Sequence, residues 1–472
     1  MIRIICSKET FLYNAYHIVK AFLPSEEIKA EVEEKASLSV CTPAEEFIRL
    51  EMNGDVIKVY GEDKRTLDIA LYEKLKDILK IQLPWGILTG VRPTKLAMAK
   101  LEEGKTEEEY ISWIYDRARV GSEKAALSYE VAEREKKLLD QLDYEDGYSL
   151  YIGIPFCPSV CSYCSFSSGE LSAWSDHVEA YVDALCKELI FIANASKEKK
   201  LNTIYMGGGT PTTLSPAQMD RVLTLVEEHF SFEHLLEYTV EAGRPDSITR
   251  EKLMVLKKHG IDRISINPQS MQQKTLDAIG RWHTVKDVYE AFALARELGF
   301  GNINMDLIAG LPGECLADMK DTLRQIENLM PDSLTVHSLA IKRASRLSAE
   351  DQKVNSTEIA DMVDLARECA AKMGLVPYYL YRQKNIAGNF ENVGYAKVDK
   401  AGIYNILIME EKQSIIAAGA GAGTKIVLKD PIVNPSNNKK TKLVRLENVK
   451  AIDAYISRID EMIERKGEWL WH

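Results

Sequence analysis

Between residues 149 and about 375 the chain switches six times between short apolar runs and longer stretches of helical spacing, and no other feature restricts its fold as much. Strands are predicted at Ser149–Ile154, Thr203–Met206, Tyr238–Glu241, Arg263–Asn267, Ile303–Ile308 and Ser333–Leu339. Helices are predicted to follow near Trp174–Asn194, Pro216–Glu228, Thr249–Lys258, Val285–Leu298, Leu316–Leu329 and Ser356–Met373. A helix of roughly 10 to 20 residues between two strands is long enough to cross over and set them parallel. The expected class is α/β, a partial (β/α)6 TIM-like barrel. In closed barrels the chemistry gathers at the C-terminal ends of the strands, and nearly every candidate residue in this chain falls there.

The first of these strands runs into Tyr151–Phe166, YIGIPFCPSVCSYCSF, with Cys157, Cys161 and Cys164 in a C-x3-C-x2-C spacing. Thiolates this close in sequence can converge on one metal centre, and an iron–sulfur cluster normally takes four cysteines. Three leave one iron for a ligand that is not protein. Two other readings of the same residues stay open: small buried hydrophobes, or structural zinc with His177 or Cys186 as the fourth ligand. Both of those residues lie on a predicted helix, at spacings unlike the usual zinc patterns. A disulfide framework belongs to an oxidising compartment; eight cysteines spread over 472 residues, three of them grouped, do not read that way.

Composition sets outer limits. A chain of 472 residues, 46% hydrophobic and 28% charged, predicts two or three ordinary globular domains. A net charge of −11 argues against general nucleic-acid binding. No uninterrupted apolar run approaches the roughly 20 residues of a membrane span, and MIRIICSKET reads as a strand and not as a signal peptide. The expected location is the cytoplasm.

Residues 1–80 are expected to form a small α+β domain: a strand at Ile2–Cys6, helices at Thr10–Phe22 and Lys64–Leu79, and a hairpin across Asn53-Gly54-Asp55. Cys6 and Cys41 read as structural there. Residues 81–148 are expected to be a helical linker region, turn-rich at Pro84–Leu96, with Arg92 at its surface and a capping box at Thr106 and Glu109. Residues 149–375 hold the barrel and 376–472 a C-terminal α/β extension on the substrate side. In that extension Ala418–Lys425 reads as a close-packed loop near the substrate, since it lacks the spacing of a phosphate loop. Asn437–Lys442 reads as a solvated turn, and Asp453–Arg465 as a closing amphipathic helix.

Several strand ends carry polar groups suited to a ligand. Gly207-Gly208-Gly209-Thr210 lets a ligand approach the backbone. Glu241, followed by Ala242-Gly243-Arg244, offers a carboxylate to an amine or to ribose hydroxyls. After Asn267-Pro268-Gln269 come Arg281, whose fork matches a carboxylate, and His283, read as a surface residue at a helix start. Asp306 is polar within an apolar strand, so it should point into the barrel or be neutralised. The sixth strand brings His337 and Ala340. Beyond it, Tyr378, Tyr379, Tyr381, Arg382 and Lys384 combine aromatic faces with cations, a pattern that a half-buried strand with snorkelling cations also gives.

With its flanking Ile154-Pro155-Phe156, the cysteine stretch resembles the radical S-adenosylmethionine (SAM) enzymes, in particular their coproporphyrinogen III oxidase branch. The glycine motif, Glu241, Gln269, Arg281 and Asp306-Leu307-Ile308-Ala309-Gly310-Leu311-Pro312 extend that resemblance over about 149–425, and more loosely over 1–148. It implies that Cys157, Cys161 and Cys164 hold a [4Fe-4S] cluster whose open iron is chelated by SAM. It also implies SAM contacts from Tyr151, Gly208, Gly209, Thr210, Glu241 and Ala340, and a second SAM beside Tyr163, Gln269, Arg281 and Asp306. The family has Phe where Tyr163 stands, and Asp-Pro soon after the glutamate where this chain has Arg244.

The implied reaction begins with reductive cleavage of SAM to methionine and a 5′-deoxyadenosyl radical, which takes a hydrogen from the β-carbon of a propionate. Loss of one more electron and CO2 leaves a vinyl group; done twice, this turns coproporphyrinogen III into protoporphyrinogen IX. A tetrapyrrole substrate, a reducing donor such as flavodoxin or ferredoxin, and a monomeric protein are the implied partners and state. Aromatic faces at 377–395 suit a tetrapyrrole, while Arg382 and Lys384 suit its propionates. The same superfamily includes a haem chaperone and a haem-opening methyltransferase, and both remain alternatives.

Overall fold

The computed structural model describes residues 1–24, 26–33, 46–52, 54–90, 92–340, 345–347, 356–383, 390–433 and 438–471. Asn53, Cys41 and Lys384 therefore lie outside the described residues. Residues 2–83 enclose an apolar core of their own. Strands Ile2–Cys6, Ile28–Val32, Glu46–Met52 and Asp55–Gly61 form a sheet in the order second, first, third, fourth. Ile2 and Ile4, and Ile48 and Leu50, stand at every second position of their strands and are buried, so one face is apolar. Helices Glu9–Phe22 and Lys64–Leu79 cover it with Phe11, Ala15, Leu67 and Leu71. The strand Ile28–Val32 is an addition to the sequence expectation. Its IKAEV carries no apolar run, and parallel backbone pairing to Ile2–Cys6 holds it at the sheet edge.

Six parallel strands, Gly147–Ile154, Lys200–Gly208, Glu237–Gly243, Arg263–Ile266, Asn302–Ala309 and Ser333–Ser338, lie side by side in chain order. They form the α/β half-barrel that the alternation predicts. The helices between them begin where capping residues stand: Ser215 with Gln218 starts Pro216–His229, and Thr284 with Asp287 starts Val285–Glu297. Their apolar stripes, such as Val222, Leu223 and Val226, bury against the strands. Beyond the sixth strand, Asn392–Ala396 and Val376–Tyr381 continue the sheet antiparallel. Beside the first strand, Ser414–Ala418 pairs parallel and the hairpin Gly423–Val433 with Lys440–Glu447 follows. Lys440 thus begins a strand, where a solvated turn was expected.

Apolar residues from Trp85 to Tyr148 pack into the barrel's own core. Thr106 and Glu109 form the expected capping box, and Arg119, at φ +59°, separates helix Glu107–Ala118 from Ser122–Leu139. Trp85 is fully buried and donates from Nε1 to Glu391 at 2.7 Å. Arg92 is half-buried and not a free surface group: it pairs with Glu411 at 2.5 Å, as do Lys95, Lys425 and Arg445 at 3.1 to 3.8 Å. Ala418–Lys425 is close-packed, as expected. Gly419 N–H donates to Glu188 at 2.9 Å and Ala420 N–H to the Tyr181 hydroxyl at 3.1 Å, which places this turn in the packed core. The closing helix is two, Ile452–Ser457 and Ile459–Gly467. Among the described residues no helix is long and apolar enough to cross a membrane.

Candidate active site

Side chains along a strand alternate between its two faces. On the concave face of this sheet the alternation places polar groups: Tyr205, then Thr239 and Glu241, Asn304 and Asp306, Thr335 and His337, Tyr379 and Tyr381. They line a cavity of about 340 Å³ with the cysteine loop in its wall. A polar residue at every second position of an otherwise apolar strand was the sequence signal for Tyr205, Thr239, Asn304 and Thr335, which motif matching passed over.

The cysteine loop is tied down from both sides. Ser162 N–H donates to Ile279 O at 3.0 Å, Ser159 Oγ to Gly280 O at 2.9 Å, and Thr210 N–H to Phe156 O at 2.7 Å. The glycine motif makes this possible: a Cβ on Gly209 would lie 2.5 Å from Phe156 O, and Gly208 takes φ +109°, a region unfavourable to other residues. Each thiol has a donor. Thr210 Oγ1 lies 3.6 Å from Cys157 Sγ, Arg244 Nη1 3.7 Å from Cys161 Sγ, and Phe166 N–H 3.4 Å from Cys164 Sγ. Burial pushes the Cys157 and Cys164 thiols up. It also acts on Cys161, but the guanidiniums of Arg281 and Arg244 outweigh it and hold that thiol below its ordinary value.

Among the described residues no three Cys, His, Asp or Glu side chains converge closely enough to hold a single metal ion. A cubane cluster asks for no common point, because each thiolate binds a different iron. The zinc alternative loses its fourth ligands: Cys186 is buried in the apolar core, His177 packs edge-on against Trp174 at 5.5 Å, and neither lines the cavity.

Deeper in the cavity, Tyr205 donates to Glu241, and burial pushes that carboxyl up to about 7. Asp306 faces the same burial, but His337, 3.6 Å away, and Asn304, donating at 2.8 Å, hold it below its ordinary value. His337 Nδ1 in turn lies 3.3 Å from the Tyr381 hydroxyl. Gln269 sits at φ +68°, fixed by its N–H on Asp306 O and by Ile308 N–H on its own carbonyl, at 2.9 and 3.0 Å. Four buried polar atoms of cavity residues have no hydrogen-bond partner: Ser168 Oγ, Asn267 Oδ1, Gln269 Oε1 and Arg281 Nε.

Cys157, Cys161, Cys164, Tyr163, Gly208, Gly209, Thr210, Glu241, Gln269, Arg281, Asp306 and Ala340 all line this one cavity. Tyr151 does not. It lies behind the wall, stacked on Tyr205 at 6.2 Å and Tyr404 at 6.4 Å. Arg382 also points away, donating to Leu88 O at 2.5 Å and lying 5.5 Å over the Trp85 ring. His283 is buried beside Arg281 and Asp246, not at the surface, and burial lowers it to about 4.

Comparison with known proteins agrees with this geometry. The radical SAM superfamily model matches residues 151–326. The oxygen-independent coproporphyrinogen-III oxidase-like protein HemZ of Bacillus subtilis is 41% identical over 420 residues, 88% of this chain and 82% of that protein. This chain belongs to that radical SAM family. The heme chaperone HemW of Bacillus subtilis is 37% identical over 195 residues, 41% of this chain and 51% of that protein. The solved structure of coproporphyrinogen III oxidase (HemN) from Escherichia coli superimposes with a TM-score of 0.54 at 22% identity, covering 70% of this chain and 73% of the other, and it shares the fold.

Membership of the superfamily implies a [4Fe-4S] cluster and SAM. The site fits both. Three thiols with hydrogen-bond donors, and cationic guanidiniums beside one of them, suit anionic thiolate ligands. The unpartnered atoms of Asn267, Gln269 and Arg281 are what a polar ligand would complete.

Proposed function

We propose that this protein carries out radical-driven oxidative decarboxylation of tetrapyrrole propionates to vinyl groups, with coproporphyrinogen III as substrate and protoporphyrinogen IX as product. The observation that carries the reading is the gathering of three cysteines and four unpartnered polar atoms on one cavity at the strand C-termini. Cys157, Cys161 and Cys164 would hold the cluster, with Gly208, Gly209, Thr210, Glu241, Gln269, Arg281, Asp306 and Ala340 around SAM. Bound there, the two cofactors together supply a hydrogen-abstracting carbon radical. The protein's own part is to orient and to keep water out. Glu241, raised to about 7 and hydrogen-bonded by Tyr205, presents an acceptor near the end of the third barrel strand. The rings of Tyr379 and Tyr381, stacked 6.2 Å apart at 9°, offer flat faces to a macrocycle. Net, each propionate loses one β-hydrogen, one electron and CO2, and the electron requires an acceptor.

A second reading is haem binding and delivery. The heme chaperone similarity favours it, as does the commitment of Arg244 and Arg263 to protein acceptors, which leaves Arg281, through Nε, as the described cavity guanidinium with a donor to spare. The deciding experiment is anaerobic: reconstitute the cluster, reduce it, add SAM and coproporphyrinogen III, and follow 5′-deoxyadenosine and porphyrins by mass. Vinyl product with matched deoxyadenosine is expected. A well-formed cluster with no product, together with stoichiometric haem binding, would replace the decarboxylase with the carrier.

A further inference from the structure

The three thiols meet different donors. Cys157 meets a hydroxyl and Cys164 a backbone N–H, but Cys161 meets two guanidiniums, those of Arg281 and Arg244, and Arg244 Nη1 lies 3.7 Å from its Sγ. Arg244 is 2% exposed and held on several sides. Its Nε and Nη2 clamp the Asp246 carboxylate at 3.0 and 2.7 Å, while Nη1 also donates to Ser159 O and Oγ at 3.2 and 3.1 Å. The short 3-10 turn Pro245–Ser247 brings Asp246 back against the fork. A guanidinium tied at one end to a carboxylate and along one edge to the cysteine loop presents its remaining N–H to sulfur in a fixed place.

We propose that Arg244, clamped by Asp246, is a positioning residue that sets how readily a cluster on Cys157, Cys161 and Cys164 accepts an electron. This rests on the cluster assignment above. Reduction adds one electron from an external one-electron donor, and no bond forms or breaks. The added negative charge spreads onto the thiolate sulfurs. A fixed cation with its N–H on one sulfur, inside a buried site of low dielectric, stabilises the reduced state more than the oxidised one. Asp246 acts in the opposite sense from the far side of the guanidinium, so the pair is a dipole with its positive end at Cys161.

The test is a potentiometric titration of the reconstituted full-length protein, followed by electron paramagnetic resonance, with iron and sulfide measured on every sample. Arg244→Gln is expected to lower the reduced-to-oxidised ratio at fixed potential about ten-fold, a midpoint shift of ~59 mV downward for one electron. Asp246→Asn, which keeps the cation and removes its counter-charge, should shift the midpoint upward. Both variants at the wild-type midpoint with full iron content would overturn the proposal. Should Arg244→Gln hold no cluster, Asp246→Asn decides alone: an upward shift supports the assignment and an unchanged midpoint overturns it. Loss of the cluster in both would make the pair scaffold and also overturn it. A wild-type protein that binds no iron would remove the cluster assignment itself, and iron content separates that failure from a flat titration.

Discussion

Two of the buried polar clusters among the described residues differ in completeness. Around Glu188, Oε1 accepts from Lys466 at 2.5 Å and Asn448 at 2.9 Å, while Oε2 accepts from Gly419 N–H at 2.9 Å and the Tyr455 hydroxyl at 2.6 Å. Lys466 also donates to Ala417 O at 2.6 Å, and no atom of the set lacks a partner. In the cavity, by contrast, Asn267 Oδ1, Gln269 Oε1 and Arg281 Nε are left over. A buried polar group without a partner costs about 1–3 kcal/mol, and a fold retains several together where a ligand completes them. The Glu188 network is scaffold, joining the chain's last helix to the first edge of the barrel. The cavity is a surface made for binding.

That contrast can be broken in order of expected effect. Cys161→Ala should abolish cluster binding and SAM cleavage while leaving the thermal midpoint nearly unchanged; retained iron and cleavage would refute the site. Lys466→Ala should do the reverse. It leaves Glu188 as an uncompensated buried charge and should cost about 3–5 kcal/mol in urea unfolding, with iron per chain intact below the new midpoint. Selective loss of iron without loss of stability would erase the distinction between the clusters.

Glu314 sharpens it by pH. It accepts from Ser270, beside Gln269, and burial pushes its carboxyl up from 4.5 to about 7, against the pull of Ser270, Thr275 and Lys274. A raised folded-state value means its stability contribution is fully present below about 4.5 and is lost as pH rises through about 7. The loss is about 3 kcal/mol at most. Glu314→Gln should flatten that slope between pH 5 and 8, and an unchanged slope would show that the carboxyl is ionised throughout. The smallest effect belongs to Gln269→Ala. SAM affinity by calorimetry should fall about ten-fold, ~1.4 kcal/mol, with no loss of apo stability, because the acceptor removed had no partner. A clear loss of apo stability would make Gln269 part of the scaffold.

The legible parts of the molecule were those written in local pattern. Helix Leu316–Leu329 and the box at Thr106 and Glu109 stand where spacing and capping put them. The strand Ile28–Val32 was invisible, because an exposed edge strand is held by backbone pairing and needs no apolar code. Arg382 misled for a different reason. Aromatic residues beside a cation look alike whether the cation faces a ligand or caps Leu88 O and Trp85, and only the position of a segment almost 300 residues earlier in the chain decides. The Ala418–Lys425 stretch was read as a close-packed loop near the substrate; its glycines do admit close packing, around Glu188 and Tyr181, but none of its residues lines the cavity.

Sequence alone determined the α/β alternation, the three-cysteine loop, and the polar residues at strand ends, since each follows from periodicity or spacing within a few residues. Tertiary structure decided which of those residues share one cavity, that Tyr151 stacks behind its wall, and that Arg244 and Arg281 converge on Cys161. Those outcomes depend on side chains from strands tens of residues apart meeting in a low-dielectric space. Hydrogen-bond completion and charge balance there are properties of the assembled barrel and of no single segment.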